Sequence, residues 1–487
     1  MNRRNFLKAS IVSAVGVTSS CAVNPVTGEQ DLAFMSEDEE TELGRNLHKQ
    51  LMGSYKAYNH PRLDQYITEI GEKLGAISHR KELIYHFTLL DTPQVNAFAI
   101  PGGYCYVTRG MLAFLGNEAE LSGVLGHELG HITARHGVRQ HAKQQVSGIV
   151  TTILGAVLGN RQLMDLANIA GLALLRGYGR ENELEADRVG AEYMANLGYD
   201  PNNLLKVIGV LKNQQEFDKI LAEEENREPY AYHGLFSTHP DNDKRLQGII
   251  STVRDNNFLK KIDDRKERYF ELITGLPVGP GEGEGSARGS SFYHTALDFT
   301  IKFPDDWKIE NLPDRVISTT KNRETLIELT MRDLNRRVSA KELINRLFEN
   351  EVQDGYKVIS PDFEGYSAKV KMNTPFGQSH DCRIFIFYIN EKEAFQIVAT
   401  TKDEDNFNKY ESIFKKCAES IRKLKSNEKS LGEPRRIKIH KVKKNETFKS
   451  FAPDSPYSTH AENRLRVLNN YFPTGEPKLG ELIKLIY

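Results

Sequence analysis

The sequence predicts a multidomain chain: a mostly α domain with a small β-sheet, then an α+β domain, then a small C-terminal module. Three observations carry this. At 487 residues the chain is too long for one hydrophobic core, and its length suggests about three domains. In the first half apolar residues recur at helical spacing, as in Leu63, Tyr66, Ile67, Ile70 and Leu74. Beyond Gly279-Pro280-Gly281-Glu282-Gly283-Glu284-Gly285-Ser286, a stretch too rich in glycine and proline for regular structure, the pattern turns to strands. The boundaries read as 30–275 for the first domain, 276–291 for a Gly/Pro linker, 292–425 for the α+β domain, 426–436 for a basic linker and 437–487 for the last module.

Within the first domain, Ser36 with Glu39 forms a capping box that opens a helix. Leu83–Leu90 reads as a strand. Val95–Ile100 and Tyr104–Thr108 read as two short strands around Pro101-Gly102-Gly103. Val146–Gly159 and Leu163–Leu175 read as two amphipathic helices packed on the domain, with a mobile lid or membrane-facing hairpin as the alternative. In the second domain Leu326–Arg332 alternates, Arg383–Tyr388 and Ala394–Thr401 are rich in β-formers, and helices fall near Ala340–Asn350 and Asn406–Leu424.

The chemistry concentrates in His127-Glu128-Leu129-Gly130-His131. Positions i and i+4 share a helix face, so the two imidazoles converge on one point. Imidazole is a natural zinc ligand, and two of them supply half of a tetrahedral site. Glu128 lies about 100° around the helix, beside the metal, where a general base for activated water belongs. The flanking Leu121–Gly126 and Ile132–Ala134 carry neither charge nor proline, so the motif sits on a buried helix. An unpaired Glu there would be costly, which argues against a chance motif on a surface.

A catalytic zinc needs a third protein ligand, with one position left open. A metzincin would place His six residues after the second His and Gly three after it; Gly137 and Ala134 stand there instead. The ligand must come from later in the chain. The best candidate is Glu183 in Arg180-Glu181-Asn182-Glu183-Leu184-Glu185-Ala186-Asp187, with Glu181 and Glu185 as competitors. Asp187, one turn on, would accept the free N–H of a ligand histidine. Glu185 reads as an ordinary paired acid, and His136, off the ligand face, as structural.

HELGH followed some fifty residues later by ENELEAD resembles the gluzincin peptidase family of the CAAX prenyl protease and the bacterial HtpX- and BepA-type proteases. Asn96–Gly103 is similar to that family's strand and turn ahead of the zinc helix. Ser237-Thr238-His239-Pro240, with Arg245, is similar to its downstream His-Pro segment. The resemblance covers roughly 30–260. It implies a zinc metalloendopeptidase with one Zn2+ per chain, with His239 near the metal as oxyanion stabiliser or zinc cap, and Asn96 orienting substrate or oxyanion.

The start of the chain is an address. Met1-Asn2-Arg3-Arg4-Asn5-Phe6-Leu7-Lys8 and the weakly apolar run after it resemble a twin-arginine export signal over 1–21. Cys21 resembles the lipidated residue of a bacterial lipoprotein site, with Thr18 where leucine is usual; cleavage near Ala22 is the alternative. This predicts export to the periplasm and a lipid anchor in the outer membrane of a Gram-negative cell. Cys105, Cys382 and Cys417 then remain, an odd number, and free buried thiols are expected. A net charge of −1 gives no global field for nucleic acid.

Phe299–Trp307 weakly resembles the opening of PsbP-like domains, and 437–487 resembles a LysM-like module, with Asn445-Glu446-Thr447 where Gly-Asp-Thr is usual. The expected partners are protein or peptide substrates, the membrane through the lipid anchor, and peptidoglycan. The rival to a protease of misfolded or unassembled envelope proteins is a zinc-capped chaperone or assembly factor, or a peptidoglycan-associated scaffold, with little proteolysis.

Overall fold

The computed structural model describes residues 21–487 except 29, 33–34, 141–177, 226, 230–263, 313, 335–337, 349–351, 378 and 458, with the backbone alone at 21–23 and 30–32. The export-signal residues 1–20, the apolar runs Val146–Gly159 and Leu163–Leu175, and Ser237–Pro240 with Arg245 lie outside the described residues. Those described fall into two compact units, one drawn from 21–217, 264–276 and 436–487 and the other from 218–229 and 277–435. Among them, no helix is long and apolar enough to cross a membrane.

The first unit opens with β1 (Cys21–Val23) paired antiparallel to β2 (Gln30–Leu32). Next comes α1 (Glu37–Ser54), whose capping box is made as expected: Ser36 accepts from the Glu39 amide and Glu39 from that of Ser36. Its acidic first turn suits the positive end of the helix. In α2 (Pro61–Ala76) Pro61 occupies the first turn, where its missing N–H costs nothing, and Leu63, Tyr66, Ile67, Ile70 and Leu74 are buried. Three strands follow, β3 (His86–Leu90), β4 (Ala97–Ile100) and β5 (Tyr104–Thr108), in the order β3-β5-β4. β3 runs parallel to β5 and β4 antiparallel, which leaves β4 on an edge. Gly103 turns the chain at φ 90°, and a Cβ there would sit 2.3 Å from the Ile84 carbonyl oxygen. The helices α3 (Arg109–Phe114), α4 (Glu118–Thr133), α5 (Arg180–Asn196), α6 (Asn203–Glu224) and α7 (Lys266–Ile273) follow, α6 entering this unit by its first residues.

The second unit is built on strands. Residues 276–291, expected to be an irregular linker, instead contribute β6 (Pro277–Val278), β7 (Ser286–Arg288) and part of β8 (Ser291–His294). Gly279, Gly283, Gly285 and Gly289 take the positive-φ positions between these segments, so glycine serves the turns and leaves the strands free to pair. β7, β8, β9 (Phe299–Lys302) and β17 (Arg422–Lys423) form a four-stranded sheet. A seven-stranded antiparallel sheet has the order β10-β11-β12-β16-β15-β14-β13, from β10 (Lys308–Leu312), β11 (Arg315–Thr319), β12 (Thr325–Asp333), β13 (Gln353–Ile359), β14 (Glu364–Asn373), β15 (Ser379–Tyr388) and β16 (Glu393–Thr401). Both faces of its centre are covered. Phe385, Phe387, Phe395 and Ile397 pack with Phe407, Phe414 and Cys417 of α9 (Phe407–Glu419); Ile384, Ile386, Ala394 and Val398 pack with Leu343 and Ile344 of α8 (Ala340–Phe348). Cys382 and Cys417 belong to opposite faces, and with Cys105 they are free and buried. The helix expected to reach Leu424 stops at Glu419, because the chain turns there and pairs as β17. The expected basic linker 426–436 holds a 3₁₀ turn over Ser426–Gly432, fixed by Glu428, which accepts from Arg422 at 2.7 Å.

Residues 437–487, expected to stand apart, belong to the first unit. β18 (Arg435–Lys441) and β19 (Leu482–Ile486) pair antiparallel around α10 (Phe448–Phe451) and α11 (Ala461–Leu468). The buried Lys484 ammonium donates to the carbonyls of Ala113, Phe114 and Leu115 at 2.8, 2.9 and 2.8 Å. These are orphan acceptors at the end of α3, and a cation is the natural cap there.

Candidate metal centre

Helix α4 starts where Asn117 accepts from the Glu120 amide at 2.8 Å, and every residue along it is buried. It presents His127 and His131 one turn apart, their Nε2 atoms 2.9 Å from each other. Helix α5 lies directly against it. A Cβ on Gly190 would stand 2.9 Å from the His127 nitrogen, and one on Gly130 2.9 Å from Ala186 Cα and O. This close approach brings Glu183 to the pair: its Oε2 lies 3.5 Å from His127 Nε2 and 3.8 Å from His131 Nε2. For comparison, a tetrahedral zinc with bonds of about 2.1 Å separates its ligand atoms by about 3.4 Å. Of the rival acids, Glu181 is exposed and Glu185 faces His136.

The protonation pattern tests whether a cation fits. His127 Nδ1–H donates to Asp187 Oδ1 at 2.9 Å, which turns its Nε2 toward His131 and Glu183. His131 Nδ1 is 2.8 Å from His136 Nδ1, and His136 Nε2 is 3.0 Å from Glu185 Oε2. Protons passed along this chain toward the carboxylate likewise leave the His131 Nε2 lone pair bare. Glu183 Oε1 accepts from the Tyr178 amide at 3.2 Å, whereas the buried Oε2 accepts no hydrogen bond. Two imidazole nitrogens and an anionic oxygen thus converge on one point. Such a set is repulsive unless a cation occupies it, and its N, N, O composition suits zinc.

Electrostatics agree. Burial alone would lower the proton affinity of His127, but Asp187 and Glu183 reverse this and push it up to about 10. The same charges would hold a dication. His131 is driven well below the usual range by burial and by its histidine neighbours, and so stays a neutral ligand. Burial pushes Glu128 up to about 8, with His127 opposing and Glu183 adding. Without a neighbouring cation a carboxyl at that value keeps its proton at neutral pH, and a cation held by His127, His131 and Glu183 would favour the ionised form that can act as base. Tyr178 stacks on His131 at 4.1 Å and 22° and covers that ring.

Of the other expected residues, Asn96 immediately precedes the edge strand β4, with a buried Oδ1 that has no hydrogen-bond partner. Cys21 begins β1. His239 lies outside the described residues. The sequence reading missed His136 and Glu185 as neighbours of the centre. At five residues past His131, His136 would point away if the helix continued. It does not: α4 ends at Thr133, and Arg135 at φ 55° returns the chain so that His136 meets His131. No residue type in this stretch announces that turn.

Residues 61–253 match the model of Peptidase family M48. The beta-barrel assembly-enhancing protease of Escherichia coli K12 is 29% identical over 233 residues, 46% of this chain and 45% of that one. The mitochondrial metalloendopeptidase OMA1 of Arabidopsis thaliana is 31% identical over 198 residues, 40% of this chain and 37% of that one. The match therefore spans less than half the length of these relatives. Among solved structures, the cyanobacterial PsbP of Synechocystis sp. PCC 6803 is similar over 30% of this chain and 99% of its own, at 12% identity and a TM-score of 0.23, too slight to assign a fold.

Proposed function

From residues 61–253 as a Peptidase family M48 domain, we propose that this chain is a zinc-dependent metalloendopeptidase of the bacterial cell envelope, cleaving misfolded or unassembled envelope proteins. One observation carries the reading: the buried ligand atoms of His127, His131 and Glu183 lie within 4.8 Å of one another, on the helix turn that also carries Glu128. His127, His131 and Glu183 would hold the zinc, with Asp187 orienting His127. Bound zinc would supply Lewis acidity, making water acidic and a peptide carbonyl electrophilic. Glu128 takes the proton from the attacking water and returns it to the leaving amine. An extended peptide can add to the edge of β4, which pairs only with β5 among the described residues, with Asn96 and its unpaired Oδ1 at the start of that edge to orient substrate or oxyanion. His239 completes the proposed site as oxyanion stabiliser or zinc cap. The envelope assignment rests on the export-like start of the chain with Cys21 as lipid attachment point, and accords with the name of the Escherichia coli relative. The second unit is assigned a packing or interaction role.

The test is Glu128→Gln in the full chain. It should keep one zinc per molecule and lose about 10²- to 10⁴-fold in casein hydrolysis. Unimpaired hydrolysis by this variant would overturn the assignment. Undiminished cellular function without hydrolysis would favour the chaperone reading.

A further inference from the structure

We propose that His136 and Glu185 are positioning residues for the metal ligand His131, and that Asn24 ties the chain's N-terminal segment into the same support. The inference rests on the zinc reading above and deepens it. Each ligand histidine has a partner behind it, and the two arrangements differ. His127 leans directly on a carboxylate of the neighbouring helix, Asp187 at 2.9 Å. His131 leans on another imidazole, His136 at 2.8 Å, and only through it on Glu185 at 3.0 Å.

The direction of the hydrogen bonds follows from elimination. Between His131 Nδ1 and His136 Nδ1 one nitrogen must carry the proton. A ligand His131 needs its Nε2 lone pair, so its Nδ1–H is the donor and His136 Nδ1 the acceptor. His136 then carries its own proton on Nε2, facing Glu185 Oε2. Glu185 also accepts from Arg139 NH1 at 3.2 Å and, on Oε1, from Asn24 Nδ2 at 2.9 Å. His136 is fully buried and Asn24 nearly so. The carboxylate's charge therefore reaches the ligand through an imidazole, fixing its tautomer and ring orientation and raising its basicity. Asn24 stands three residues after Cys21, so the docking of the segment beside the proposed anchor contributes to how the metal is held.

The test is zinc affinity of the full chain, measured by competition with a chelating dye, with the visible spectrum of the cobalt-substituted protein as second readout. His136→Phe keeps the ring volume but removes the acceptor; it should weaken zinc binding by about 10- to 100-fold and alter the cobalt bands. His136→Asn places an oxygen near the lost Nδ1 and should restore both. Glu185→Ala should weaken binding in the same direction, and Asn24→Ala by a smaller factor. Near-ultraviolet circular dichroism of the metal-free variants checks that they fold. Unchanged affinity and spectrum in a folded His136→Phe would overturn this proposal alone. If the unmodified chain takes up no zinc, the metal-centre reading falls, and this proposal with it.

Discussion

Helix α4 and strand β15 are both buried, each in its own unit, and they hold opposite contents. Seven residues of α4 are polar: Glu118, Glu120, Ser122, His127, Glu128, His131 and Thr133. The buried stretch of β15 runs from Cys382 to Phe387; apart from Arg383, which pairs with Glu411, it is apolar and feeds two clusters by simple alternation. The strand's content is explained by packing, since each large side chain removed from water stabilises the unit by about 1.5–3 kcal/mol. The helix's content is not. Burying carboxylates and imidazoles is costly unless each finds a partner. Most have one: Glu118 meets Arg265 at 2.8 Å, Glu120 the Gly116 amide at 2.6 Å, and His127 meets Asp187. Besides Ser122, whose buried hydroxyl has no hydrogen-bond partner, what remains is the convergence of His127 and His131 on Glu183, where chemistry rather than stability selects the side chains.

The contrast can be broken from either side. Glu183→Ala should have the largest effect: stoichiometric zinc, read by elemental analysis, should fall to background while the second unit unfolds as before. Zinc retained at one per chain would place the third ligand elsewhere. Phe387→Ala should do the reverse, costing about 3–5 kcal/mol in denaturant unfolding of the second unit while zinc content stays at one per chain. Gly190→Ala lies between. Its Cβ would press on the His127 backbone at 2.9 Å, so it should cost about 1–3 kcal/mol and also weaken zinc, since α5 must back away with Glu183 on it. A variant with normal affinity would show that the helices have room to give.

The smallest effect is in protons. The zinc-free site holds a proton on His127 up to about pH 10, and zinc must displace it. The sign follows: affinity rises with pH until His127 is deprotonated, then levels off. At about pH 9, above the Glu128 value, calorimetry in two buffers of different ionisation enthalpy should find at least one proton released per zinc, from His127, with any metal-bound water adding to it. Release of none would mean that the site is already bare.

How much of this was legible follows from distance along the chain. HELGH was readable because a single helix turn fixes the relation between its histidines. The capping box at Ser36 and Glu39 and the buried face of α2 were readable for the same reason. Glu183 could be ranked above its neighbours but not separated from Glu181 and Glu185, since the facing of α5 is set by its seat on Gly126 and Gly130. His136 was hidden by the positive φ at Arg135. The strands within 276–291 were hidden because glycine content alone does not reveal whether it fills turns or loosens a linker.

The Lys484 ammonium answers carbonyls 369 to 371 residues upstream. A ribosome making this chain therefore releases the segment preceding the zinc helix long before its last cap exists. Until the final strand emerges, three acceptors at the end of α3 depend on water or a chaperone. The first unit is thus completed only once Lys484 has been made, so a nascent chain arrested before it carries the residues of the proposed metal centre on an unfinished scaffold.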